Sequence, residues 1–234
     1  MTVNESRQSF SSGGKEITVE VFTPTRKAPR PGIVMLHGAD GLGHNRQYRD
    51  GASAIAASGY QVHLVHYLDR TGERRASFAT LFQNFMPWTE TVRDALAWVS
   101  GRSEVDPGKI GLVGISLGAA LGLAVASADS RIKALISFFG PLPQGAIGYD
   151  ARLPPTLILH GAMDPIVPVA NAYAIETLLR QKDVPHELKV YPGEGHGFHG
   201  KTQQDATQHA LSFLRRYLDP VPAKSEAMPL STGE

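Results

Sequence analysis

The chain has 234 residues, 42 % hydrophobic and 19 % charged, a balance that argues against disorder and membrane insertion and leaves room for a sizeable core. Twenty-three Lys and Arg against 22 Asp and Glu give a formal net charge of +1, so no broad field is present to gather nucleic acid or anionic lipid. Cysteine is absent, which removes disulfides, thiolate metal sites and a cysteine nucleophile.

The first ten residues, Met1 to Phe10, lack the basic start and apolar stretch of a secretory signal, and no apolar run reaches a transmembrane length, so a cytoplasmic location without membrane contact is expected. From about residue 17 strand-like and helix-like segments alternate, the pattern of a doubly wound α/β sheet, mostly parallel, with helices on both faces. Ile17–Phe22 alternates with period two, as an outer antiparallel strand does. Central strands are predicted at Ile33–Leu36, Gln61–Val65, Ile110–Val113, Ala134–Phe138 and Thr156–Leu159, with Glu187–Tyr191 last. Helices are predicted around Tyr48–Ser58, Thr89–Ser100, Gly118–Ala128, Val169–Gln181 and Gln203–Leu218. One domain over residues 1–218, without a separate lid, is followed from Asp219 to 234 by a tail with three prolines and no apolar period. Between Tyr67 and Trp88, the side chains Phe78, Phe82, Phe85 and Met86 either wall a pocket or pack the following helix on the sheet.

The pentapeptide Gly114-Ile-Ser-Leu-Gly118 joins an apolar strand to a small-residue helix. A serine at the tip of so sharp a turn needs neighbours without bulk, because strand and helix approach closely there. A serine hydroxyl is a weak nucleophile at neutral pH and needs an imidazole to take its proton and a third group to orient that imidazole. Both candidates follow in order. Asp164 lies in the loop after the strand Thr156–Leu159, and His196 lies between Gly195 and Gly197 after the last strand. Ser116, Asp164 and His196 thereby arise at three strand ends on one edge of a parallel sheet, where such sheets place ligands. Asp164 can instead cap the helix after it, His199 is a rival base, and the two histidines lack a third ligand at metal-binding spacing. Oxyanion donors are expected from the backbone N–H of Leu117, and of Ala39 in the glycine-rich loop His37-Gly-Ala-Asp-Gly41. Trp88 and Phe198 are expected to contact substrate. No cofactor or metal is required.

The elbow, together with Met35–Leu42, Ala54–Val62, Leu157–Pro165 and Val190–Phe198, resembles the dienelactone hydrolase family of α/β-hydrolases from roughly Gly14 to Leu218. The resemblance implies Ser116, Asp164 and His196 as catalytic triad and the Ala39 and Leu117 N–H groups as oxyanion hole. It departs from the family's lactone-cleaving founders, which use cysteine where Ser116 stands and carry a glutamate where Gly38 stands. It also places Arg70 at a substrate carboxylate, while the founders' second arginine has only Lys201 as a nearby stand-in. The expectation is a serine esterase, monomeric or homodimeric, acting on small or medium esters or lactones. Thioesterase or peptidase action on the same machinery, and a non-catalytic binding protein on the same fold, are the alternatives.

Overall fold

Among the described residues eight strands form one sheet in the order β1-β2-β4-β3-β5-β6-β7-β8. They are β1 (Val3–Ser12), β2 (Lys15–Pro24), β3 (Arg30–Leu36), β4 (Gln61–Val65), β5 (Val105–Ile115), β6 (Ile132–Phe138), β7 (Thr156–Gly161) and β8 (His186–Tyr191). The computed structural model describes residues 2–25, 29–43 and 46–218, so the expected tail lies outside the described residues. Strands β3 to β8 are mutually parallel, β4 pairs antiparallel with β2, and β2 pairs antiparallel with β1. The outer antiparallel strand is therefore β1 and not Ile17–Phe22, which lies second. Most residues of β1 are exposed, so its sequence carries no apolar alternation; it is held by ten Cα pairs with β2 and by Phe10 stacked on Trp98 at 5.8 Å.

Among the described residues five α-helices cover the two faces, as the doubly wound pattern requires: α1 (Gln47–Ala57), α2 (Phe78–Ser100), α3 (Leu117–Ala126), α4 (Ala170–Gln181) and α5 (Gly200–Leu218). Helices α2, α3 and α4 pack against one face with Val34, Leu36 and Leu112 of the sheet. Helices α1 and α5 pack against the other with Ile33, Val62 and Val113. Every residue of α3 is buried, which suits a run of Ala, Gly, Leu and Val and explains its lack of a polar face.

Helix α2 starts at Phe78 and not near Thr89. Ser77 accepts from the Thr80 N–H while Thr80 Oγ1 accepts from the Ser77 N–H, a capping box that fixes the start. The helix then runs through Pro87. The aromatics of this stretch divide: Phe85 packs against the core, whereas Phe78 and Phe82 are 83 % and 87 % exposed and Met86 faces solvent too. Among the described residues no helix is long and apolar enough to cross a membrane.

Candidate active site

The carboxyl ends of β3, β5, β7 and β8 carry the predicted side chains and backbone groups. At the end of β5, Ser116 has φ 54° and ψ −117°, a conformation costly for a residue with a Cβ and one that lifts its hydroxyl out of the strand-to-helix turn. The flanking glycines are demanded by contact. A Cβ on Gly114 would lie 2.5 Å from Ala119 Cα, and one on Gly118 would lie 2.5 Å from the carbonyl oxygens of Leu36 and His37.

Ser116 Oγ lies 2.9 Å from His196 Nε2, and His196 Nδ1 lies 2.7 Å from Asp164 Oδ2. The other carboxylate oxygen, Asp164 Oδ1, accepts the N–H groups of Ile166 and Val167 at 2.9 and 2.8 Å, and the side chain is fully buried. Because both oxygens are engaged, the orientation of the carboxyl group toward His196 is fixed. Helix α4 takes Val169 as its N-cap, so Asp164 is not the cap of that helix. Beneath it His160 donates from Nε2 to the Val167 carbonyl at 2.8 Å; burial pushes this imidazole's pKa down and keeps it neutral beside the aspartate. The rival base His199 sits at the start of α5, where its carbonyl accepts the N–H groups of Thr202 and Gln203.

The loop after β3, where an oxyanion donor is expected, is anchored from three sides. His37 is buried, stacks on Tyr67 at 4.3 Å and donates from Nδ1 to the Gly38 carbonyl at 2.7 Å; burial holds its pKa at about 4, so the ring is neutral. Tyr67 donates to the His37 carbonyl at 2.9 Å. Tyr48 accepts the Gly38 N–H at 3.0 Å and donates to Asp40 Oδ1 at 2.5 Å, while burial and that carboxylate push its phenol pKa upward. A Cβ at Gly38 would lie 2.9 Å from this hydroxyl and 3.4 Å from Ser116 Cβ, so a larger residue does not fit here without rearrangement. Among the described residues neither the Ala39 nor the Leu117 N–H donates to a protein acceptor. Leu117 also opens α3, whose positive dipole end faces the serine.

A cleft of about 330 Å³ brings together Ser116, His196, Ala39, Tyr48, Phe139 and Ile166. Phe139, missed in the sequence, has φ 38° and places its ring 4.8 Å from that of His196. Its only signal was its place directly after a predicted strand. Tyr48 was legible only as a helix start.

Two expected substrate contacts are elsewhere. Arg70 donates to the Ser12 and Gly13 carbonyls at 3.3 and 2.6 Å and pairs with Glu90, so it fastens the β1-β2 hairpin and lies outside the lining of the serine cleft. Trp88 is fully buried, edge-on to Tyr67, with its indole N–H donated to Thr71 Oγ1 at 3.0 Å; it is core. Phe198 is buried below the histidine loop against Phe138, Phe139 and Tyr191. It does not line the serine cleft. Among the described residues no cluster of three His, Asp or Glu is placed to hold a metal.

The mostly parallel sheet and the site at its carboxyl edge define an α/β-hydrolase fold. The profile of the dienelactone hydrolase family matches residues 17–218, and the chain belongs to that family. A Methylorubrum extorquens protein provisionally named carboxymethylenebutenolidase is 23 % identical over 221 residues, covering 83 % of this chain and 75 % of the relative. Acyl-coenzyme A thioesterase 1 of Rattus norvegicus is 31 % identical over 154 residues; the match takes in 62 % of this chain and 32 % of that longer protein. Among solved structures, a dienelactone hydrolase-like promiscuous phosphotriesterase from metagenomic libraries superposes with a TM-score of 0.80 at 18 % identity, covering 92 % of this chain and 98 % of the other.

Proposed function

We infer that the protein cleaves carboxylic esters or lactones through an acyl-enzyme on Ser116. The observation that carries this reading is the hydrogen-bonded series Ser116 Oγ, His196 Nε2, His196 Nδ1, Asp164 Oδ2. His196 accepts the hydroxyl proton as Ser116 Oγ attacks the carbonyl carbon, and Asp164 stabilises the imidazolium that forms. The carbonyl oxygen, now carrying the negative charge, is met by the Ala39 and Leu117 N–H groups. Collapse of the tetrahedral intermediate expels the alcohol, which takes its proton from His196 Nε2. Water then repeats the sequence on the acyl-enzyme, releasing the acid and restoring the serine. Ser116, His196 and Asp164 are already in hydrogen-bonding reach of one another, so the proton transfers need little reorganisation.

The residues lining the cleft include Asp40 and, among those described, neither Lys nor Arg. With Arg70 committed to the hairpin, neutral acyl groups fit this cleft better than carboxylate-bearing lactones. Thioesters are a second reading, favoured by the similarity to the rat protein named as a thioesterase and by machinery that serves any activated acyl donor. The test is hydrolysis of p-nitrophenyl esters, an acyl thioester and a carboxylate-bearing lactone by wild type and Ser116→Ala. Serine-dependent ester cleavage supports the reading. Ester or lactone turnover that survives in Ser116→Ala contradicts it, and turnover of the carboxylate-bearing lactone alone contradicts the preference for neutral acyl groups.

A further inference from the structure

Behind the serine cleft, between α1 and α5, lies a second cavity of about 110 Å³. Its walls are mostly apolar, with Met35 from β3, Ile55 from α1, Val113 from β5, Phe138 from β6, Phe198 and Ala210, and polar groups enter from Gln47 and Tyr48 on α1 and Gln203 and Thr207 on α5. Ile115, Phe139 and Gly197 line both this cavity and the serine cleft, so the two adjoin next to the reacting hydroxyl. Two glycines keep it open. A Cβ built on Gly197 meets nothing within 4 Å, and one built on Gly51 touches only the Met35 methyl, at 3.5 Å.

A cavity whose lining is mostly apolar favours hydrocarbon over water; one of about 150 Å³ is known to take benzene, so this one suits a chain of roughly four carbons. We propose that the cavity between α1 and α5 is the specificity pocket of the enzyme and receives an unbranched alkyl chain of the ester. The proposal rests on the hydrolase reading and adds to it the size and polarity of the substrate. Each methylene that enters raises transition-state affinity about fourfold until the cavity is full. Longer or branched chains gain nothing further.

Methyl pentanoate and butyl acetate are isomers of equal overall composition and distinguish a chain on the acyl side from one on the alcohol side. For wild type, kcat/KM for one of the two exceeds that for methyl acetate by at least tenfold. Gly51→Leu, a substitution that favours the helix, fills the cavity from α1. It brings that ratio to within about twofold of unity. Thr207→Leu on α5 fills it from the other wall and does the same, which guards against a folding defect in either variant. Ratios unchanged in both variants, or below tenfold in wild type, overturn the proposal. Binding is read independently by saturation-transfer NMR of the same two esters on Ser116→Ala. Loss of the signal on adding Gly51→Leu supports the pocket even if wild type hydrolyses neither ester, the result that sinks the hydrolase reading alone. Equal signals with and without Gly51→Leu overturn the pocket whatever the kinetics.

Discussion

The Tyr48 hydroxyl donates to Asp40 Oδ1 at 2.5 Å while accepting the Gly38 N–H at 3.0 Å, so the first turn of α1 holds the loop after β3 in place. Tyr48 does not meet the reacting atoms in this account; it positions the loop that carries the Ala39 N–H. Tyr48→Phe removes both bonds with little change in volume. The expected result is a fall in kcat of about tenfold to a hundredfold with KM for a neutral ester changed less than threefold, below the loss from deleting an oxyanion donor outright. Equal kcat in the two proteins removes the loop from the transition state.

Asp164→Asn keeps an oxygen for the Ile166 and Val167 N–H groups but presents an amide N–H to His196 Nδ1. That geometry favours the tautomer with its proton on Nε2, which cannot accept from Ser116. Turnover should fall by roughly 10³ to 10⁴ while the melting temperature moves little. A modest kinetic loss with a large loss of stability assigns Asp164 to the turn and not to the chemistry.

Much of this site was legible because each part sits in a strand-end loop with its own sequence punctuation: the elbow glycines, the loop around Asp164, and Gly195 and Gly197 around His196. The substrate side was not. Arg70 precedes a loop whose path depends on the β1-β2 hairpin, and β1 has no apolar alternation because most of its residues are exposed. Helix α2 was read too short because the apolar residues of its first turns, Phe78 and Phe82, face solvent, so the usual buried stripe is missing. Phe139 and Tyr48 reach the cleft through a positive φ and a cross-element hydrogen bond, and neither leaves a local sequence signal.

The reassignment of Arg70 and Trp88 is testable through stability. Arg70→Ala loses two bonds to hairpin carbonyls and should cost about 1 kcal/mol while leaving the ratio of activity on neutral and carboxylate-bearing lactones unchanged. Trp88→Ala empties the core beside Tyr67 and should cost on the order of 3–5 kcal/mol. Urea unfolding gives both figures, and a selective loss of the anionic substrate in Arg70→Ala returns that arginine to the cleft.

Burial also sets the response to acid. His37 and His63 are both buried, and desolvation pushes each pKa down to about 4. Between pH 6.5 and 4 the unfolded chain binds a proton on each that the folded protein does not, so stability falls as pH falls, by roughly 1.4 kcal/mol per unit for each histidine. For Glu20 burial raises the pKa, but hydrogen bonds from His66 and Arg49 outweigh it and hold the carboxyl at about 2. Its contribution is complete above pH 4.5 and is lost as pH falls toward 2. The urea midpoint should therefore drop between pH 7 and pH 5, with a difference of roughly 4 kcal/mol from the two histidines. Coincident unfolding curves at the two pH values contradict buried, neutral rings.

The proposed chemistry stands on Ser116 as nucleophile and His196 as its base. Its most direct test is peptide mapping of intact protein after reaction with a fluorophosphonate, run beside Ser116→Ala and His196→Ala. The expected result is one adduct on the peptide carrying Ser116, none there in Ser116→Ala, and labelling slowed by several orders of magnitude in His196→Ala. An unlabelled Ser116 in wild type, or an adduct on another residue that tracks ester turnover, contradicts it.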